Sequence, residues 1–291
     1  MENIQIKASD GLLLNAIYTK VENPKAIVLI IHGMVEHKER YEILINELAK
    51  NGYTSIISDL RGHGLSVNDE YKLGQIGSIE QMVDDQHTVL EFLKNDNPNL
   101  DVYIYSHSMG TLIAREFIKK YSFEAKKLIL SGTVAYKTGC GLGVFAAKKK
   151  SKKNKNGYSK LLFAMSNNGS TNPDMSWLSY NKDNVNNFVE DPLCGYKFTN
   201  YSNLILFTMT HNLHNHDKDR KVNENLQILS ISGIDDRTTN HTKGVKDSLK
   251  HLSKEGFKNL DFIEYPNMKH EILAEEGKEA VLKDIIAFYN K

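Results

Sequence analysis

A serine hydroxyl is a poor nucleophile at neutral pH unless a base stands beside it. In this chain Ser108 occupies a position where such activation is common. It lies in Val102-Tyr103-Ile104-Tyr105-Ser106-His107-Ser108-Met109-Gly110, where a short apolar run of β character stops at a turn and resumes as the helix-like Thr111 to Phe117. A sharp strand-to-helix turn of this kind is a nucleophile elbow, which holds a serine with its hydroxyl exposed. The usual G-x-S-x-G pattern is one glycine short, because Ser106 takes the first position. Serine is small, and the crowded turn is expected to tolerate it.

An activated serine needs a histidine, and the histidine needs a carboxylate to hold its tautomer. In sheets that carry such an elbow, the acid and the histidine follow the serine on loops after late strands. Two loops fit. Ser232-Gly233-Ile234-Asp235-Asp236-Arg237 follows the apolar run ending at Ile231, and Pro266-Asn267-Met268-Lys269-His270 follows the run ending at Tyr265. Ser108, the Asp235/Asp236 pair and His270 should therefore meet at the carboxyl edge of one sheet. A developing oxyanion also needs backbone donors, one after the nucleophile and one after an early strand. Met109 is the first candidate; Met34, in His32-Gly33-Met34 after Ile31, is the second.

Other histidines fit less well. The His107 side chain should point away from the reacting carbonyl, and His63, on an earlier loop, reads as structural. His211, His214 and His216 form H-x-x-H-x-H without well-placed acids or cysteines and inside a polar insertion, so no metal is expected there and no cofactor is called for.

The elements that must position these groups are legible as alternation. Ile4 to Ala8 and Leu12 to Tyr18 flank an Asp-Gly turn and read as a hairpin. Ala26 to Ile31, apolar throughout, reads as a buried parallel strand. Strands at Thr54 to Ser58, Val102 to Tyr105 and Lys127 to Leu130 then alternate with helices at Tyr41 to Lys50, Ser78 to Lys94 and Met109 to Tyr121. Ser78-Ile79-Glu80-Gln81 resembles a capping box. The rhythm breaks from about Val134 to Asn212. It resumes with a strand at Leu226 to Ile231, a helix near His241 to Lys254, a strand at Leu260 to Tyr265 and a helix at Glu275 to Tyr289. This predicts an α/β fold with a mostly parallel, doubly wound sheet. Its core is expected over 1–133 and 213–291, with a mainly helical cap over 134–212.

Composition narrows the classes. The chain has 291 residues, 40% hydrophobic and 25% charged, with a net charge of +1, so no overall field recommends nucleic acid as a partner. Its two cysteines, Cys140 and Cys194, suggest free thiols in a reducing compartment. Met1 to Lys7 lacks a signal-peptide pattern, and no run approaches the roughly eighteen apolar residues of a membrane helix. The expected location is cytoplasmic. Six lysines fall within Lys148 to Lys155, which reads as a solvated loop or as a contact for an anionic membrane surface. Oligomeric state is left open.

Four segments resemble the α/β-hydrolase superfamily, in its monoacylglycerol lipase and lysophospholipase-like (serine aminopeptidase-like) branch. They are His32-Gly33-Met34-Val35-Glu36-His37-Lys38-Glu39-Arg40-Tyr41, Asp59-Leu60-Arg61-Gly62-His63-Gly64-Leu65-Ser66, His107-Ser108-Met109-Gly110 and Met268-Lys269-His270-Glu271-Ile272-Leu273. Asp191 to Thr199 also looks like a segment of bacterial members. The resemblance implies Ser108 as nucleophile, His270 as base, Asp236 rather than Asp235 as acid, and Met34 and Met109 as oxyanion donors. It implies hydrolysis of a small lipid ester such as a monoacylglycerol or lysophospholipid, through an acyl-enzyme. Other acyl bonds (thioester, short-chain ester, aminoacyl) are the nearest alternatives, and a non-catalytic binding protein on the same fold is a further one.

Overall fold

In the computed structural model, residues 1–167, 174–217 and 219–291 are described. Eight strands form one sheet: β1 (Glu2–Lys7), β2 (Leu13–Thr19), β3 (Ala26–Ile31), β4 (Tyr53–Ser58), β5 (Val102–His107), β6 (Lys127–Ser131), β7 (Gln227–Gly233) and β8 (Asn259–Tyr265). Their order is β1-β2-β4-β3-β5-β6-β7-β8. Only β1–β2 and β2–β4 pair antiparallel; the other pairs are parallel. The expected α/β class and doubly wound sheet are borne out.

The apolar run of β3 explains why the sheet is covered on both faces. Ile27, Leu29 and Ile31 enter one core cluster, while Ala26, Val28 and Ile30 enter the other. That is the period of two that a strand imposes on its side chains. The second cluster is closed by α1 (Glu42–Lys50) and α9 (Lys278–Asn290). The first is closed by α2 (Ile79–Asp96), α3 (Met109–Tyr121) and part of α8 (His241–Lys254). Helix α2 starts with the expected capping box, in which Ser78 and Gln81 satisfy each other's backbone N–H groups.

Between β6 and β7 the chain forms α4 (Cys140–Lys153), α5 (Lys160–Ser166), α6 (Lys182–Glu190) and α7 (Asn200–Asn212). The expected cap span, 134–212, includes 168–173, which lie outside the described residues.

Three details differ from expectation. Strand β5 runs to His107 rather than Tyr105, because Ser106 and His107 pair with Ile31 and Ser131 on the flanking strands despite their polarity. The last helix starts at Lys278, after Gly277 in the left-handed region, not at Glu275. Lysines 148–153 are not in a loop. They form the exposed end of α4, whose other face buries Gly143 and Ala147, and cations are favoured at a helix C-terminus.

Candidate active site

Strand β5 delivers Ser108 to the start of α3 with φ 51° and ψ −121°, a conformation an L-residue adopts only under constraint. The constraint is visible. The Ser108 N–H donates to the Ser131 carbonyl at 2.9 Å, and its own carbonyl accepts from the Thr111 hydroxyl at 2.7 Å. Gly110 is sterically required, because a Cβ there would land on the carbonyl oxygens of Ile31 and His32. Ser106 is not squeezed in this way. Its hydroxyl donates to the Ile129 carbonyl at 2.9 Å, so the missing elbow glycine is replaced by a cross-strand hydrogen bond.

The loops after β7 and β8 bring the other two groups. Gly233 makes their close packing possible, since a Cβ there would collide with the Met268 and Lys269 carbonyls. Asp236 Oδ2 lies 2.8 Å from His270 Nδ1, and His270 Nε2 lies 2.8 Å from Ser108 Oγ. The Asp236 carboxylate can only accept, so Nδ1 carries the proton, and Nε2 is left to accept from the serine hydroxyl. Asp236 is fully buried, and its Oδ1 takes the Thr238 N–H at 2.7 Å. Asp235 faces elsewhere and accepts from the Tyr180 hydroxyl at 3.1 Å.

Burial opposes charge on both partners, and each partner favours the charged form of the other. For His270 burial pushes the pKa down, but the Asp236 charge and hydrogen bond raise it above the ordinary value. For Asp236 burial pushes upward, and His270 with the Thr238 N–H brings the carboxyl below its usual range. His107, packed 4.8 Å from the His270 ring, is pushed down to about 4 by burial and by the His270 charge. His107 is therefore neutral beside the site.

The loop after β3 is held from behind. His32 Nε2 accepts the Leu60 N–H at 2.8 Å, so its Nδ1–H donates to the Gly33 carbonyl at 2.8 Å. Glu36 accepts the Gly33 N–H at 2.6 Å and the Tyr41 hydroxyl at 2.9 Å, and pairs with Arg40 at 3.1 Å. Arg40 continues to Glu271, the residue after His270, at 2.7 Å. Glu36, Arg40 and Glu271 thus link the loop carrying Met34 to the loop carrying His270. Sequence reading passed over this link, although the opposite charges of Glu36 and Arg40 four residues apart were a signal for it. These residues, with His107, line a second cavity of about 320 Å³ behind the site.

Met34, Ser108 and Met109 open together onto a cavity of about 920 Å³. Its walls include Val134, Met165, Trp177, Leu206 and Phe207, with Lys137 and Arg237 as cations. Trp177 also stands 5.1 Å from the His270 ring. The Met109 N–H lies in the first turn of α3, where no upstream carbonyl of the helix can take it. His63 is buried among His32, Tyr196 and Phe198, and burial pushes its pKa down to about 3. Its place is structural.

A sheet of this order, with a strained serine after β5 and an acid and a histidine after β7 and β8, defines an α/β hydrolase. Comparison with known proteins narrows this. The family described as serine aminopeptidase, S33, matches residues 22–277, and the chain belongs to that family. The chain is 33% identical over 101 residues to phospholipase YtpA of Bacillus subtilis, covering 35% of this chain and 37% of that protein. It is 29% identical over 116 residues to a monoacylglycerol lipase of Mycolicibacterium smegmatis, covering 40% of each. The match therefore spans well under half the length of these curated relatives. A thermostable carboxyl esterase from Bacillus coagulans has the same fold, with a TM-score of 0.87 at 23% identity over 99% of this chain and 97% of that one.

Proposed function

We propose that the protein is a serine carboxyl-ester hydrolase acting on a small lipid ester. The observation that carries this reading is the Asp236–His270–Ser108 chain, with both links at 2.8 Å, ending on an apolar-walled cavity of about 920 Å³. In this reading His270 takes the Ser108 proton as Oγ attacks the ester carbonyl, and Asp236 stabilises the imidazolium. The N–H groups of Met34 and Met109 bind the oxyanion. His270 then protonates the leaving alcohol, and a water activated by the same ring hydrolyses the acyl-enzyme.

The cavity volume falls in the range of small-molecule sites, and the wall residues suit an acyl chain. Residues 134–212 act as the cap over the core formed by 1–133 and 213–291. Relatives named as a phospholipase and a monoacylglycerol lipase support the lipid class. Lys137 and Arg237, against the one carboxylate of Asp174, leave the cavity wall net cationic and favour a second reading, in which the head group bears a phosphate, as in a lysophospholipid. The exposed lysines 148–153 would then bring the enzyme to anionic membrane surfaces. No described helix is long and apolar enough to cross a membrane. Two unpaired thiols, Cys140 and Cys194, accord with a cytoplasmic location.

A fluorophosphonate probe tests the mechanism. Wild type should be labelled stoichiometrically and Ser108→Ala not at all; equal labelling of the two would sink the proposal. A panel of monoacylglycerols and lysophospholipids of graded chain length then separates the two head-group readings.

A further inference from the structure

The H-x-x-H-x-H run divides in the folded chain. His211 turns to Cys140, with Nδ1 at 3.5 Å from Sγ. His214 and His216 turn the other way, to α8, and meet two residues that sequence spacing does not place near them. His214 Nε2 lies 2.8 Å from Asp247 Oδ2, and His251 Nε2 lies 3.7 Å from Asp247 Oδ1. Asp247 and His251 are four residues apart on α8, so both face the same way. The ligand atoms of His214, Asp247 and His251 lie within 4.8 Å of one another.

The surroundings are those of a metal ligand set. His216 Nε2 is 2.7 Å from His251 Nδ1, so the ring nitrogen of His251 turned away from Asp247 already has a hydrogen-bond partner. His216 Nδ1 in turn stands 3.6 Å from Glu255 Oε1, and neither atom has a hydrogen-bond partner among the described residues. A hydrogen bond to the second ring nitrogen of a ligating histidine, as His216 makes to His251, is the outer-shell contact that fixes tautomer and orientation in metal sites. His214 is held by stacking between Tyr136 and His251, at ring separations of 3.5 and 3.6 Å. Its side chain and that of Asp247 are 28% and 38% exposed, which leaves an approach from solvent and a position for water.

We propose that His214, Asp247 and His251 form a zinc site, with His216 orienting His251. Two imidazoles and one carboxylate suit zinc and not calcium or magnesium, which prefer all-oxygen shells. In a tetrahedral site with metal–ligand bonds near 2.1 Å, neighbouring donor atoms stand ~3.4 Å apart. The present separations, 2.8 Å from His214 to Asp247 Oδ2 and 3.7 Å from His251 to Asp247 Oδ1, lie on either side of that value. The site joins the segment after α7 to α8, so zinc would pin the helical segment between β6 and β7 to the sheet at its return.

The test uses the full-length protein stripped with a chelator and titrated with zinc chloride by calorimetry, with cobalt(II) as a spectroscopic probe. One zinc should bind with a Kd below about 100 µM, raising Tm, and cobalt should give the intense visible bands of a tetrahedral site. His214→Gln and Asp247→Asn should each weaken binding at least about tenfold, and the double variant should lose that zinc and the Tm response. His216→Gln should weaken binding about 10–100-fold at unchanged stoichiometry. Circular dichroism and fluorophosphonate labelling of Ser108, both unchanged, would show that the variants are folded. Cys194→Ser removes a ligand from the separate His37–Asp191–Cys194 group and should leave the affected zinc in place. No zinc bound by wild type at 100 µM, or full zinc retained by the folded double variant, would overturn the proposal.

Discussion

Asp236 points its carboxylate at His270 Nδ1 from 2.8 Å, while its neighbour Asp235 is turned outward to Tyr180. One residue of offset separates a carboxylate that can hold an imidazolium from one that cannot. Asp236→Asn should lower kcat by about 10⁴, because an amide presents the wrong donor to the ring. Asp235→Asn should leave kcat within about twofold, since it loses only a surface hydrogen bond. Steady-state kinetics on a chromogenic ester separate the two variants, and the reverse ranking would move the acid by one position.

The pH profile follows from the same pair. His270 must be neutral to accept the Ser108 proton, and Asp236 raises its pKa. Activity should therefore rise with pH through a midpoint above the ordinary histidine value of about 6.5. In Asp236→Asn the stabilising charge is gone and burial remains, so the midpoint of the residual activity should move down. A profile of kcat/KM whose midpoint does not change on this substitution would contradict the assignment.

The two glycine positions of the elbow are expected to behave unequally. Gly110→Ala drives a methyl into the Ile31 and His32 carbonyls and should destabilise the protein by about 1–3 kcal/mol. Ser106→Gly restores the common pattern but removes a hydrogen bond to Ile129 and adds a flexible residue to β5. It should cost about 1–2 kcal/mol rather than stabilise. Urea midpoints measure both, and a more stable Ser106→Gly would refute this account of the departure.

Glu36 is expected to act through the loop it holds. Glu36→Ala frees the Gly33 N–H and removes one carboxylate from Arg40. The Met34 N–H would then be less well aimed, and kcat should fall about 10²-fold with little change in KM. An equal fall in Ser108 labelling by a neutral phosphonate would mark the defect as one of positioning. A KM effect alone would place Glu36 in substrate binding instead.

How much of this was legible in the sequence depends on the range over which each signal acts. The sheet was legible because β3 is an unbroken apolar run and the strands around it are short β-type runs alternating with helical periodicity, and such patterns are local. The boundary at His107 was not, because the residues that bury Ser106 and His107 are supplied by Ile31 and Ser131 on other strands. Asp236 could be separated from Asp235 only by likeness to a family; no local property distinguishes two adjacent aspartates. The lysine run misled for a physical reason. Six cations look like a solvated loop, whereas Gly143 and Ala147 on the opposite face of α4 are what decide its helicity by packing. The His214 cluster looked short of acids for the same cause, since Asp247 and His251 lie more than 30 residues further on and are delivered by α8.

Trp177 and its neighbours are stitched to the loop that carries His270. The Leu178 carbonyl accepts the Glu271 N–H at 2.8 Å, and Glu275 accepts from the Ser179 hydroxyl, the Tyr180 N–H and the Lys269 N–H, each within 2.9 Å. This makes an interlock. If the segment at 177–181 swung aside to admit a substrate, it would carry the histidine loop with it and part the imidazole from Ser108. Displacement of this segment and of the His270 loop is therefore coupled on this side of the cavity, whereas the opposite wall, where α4 and α7 meet, lacks these particular ties to His270.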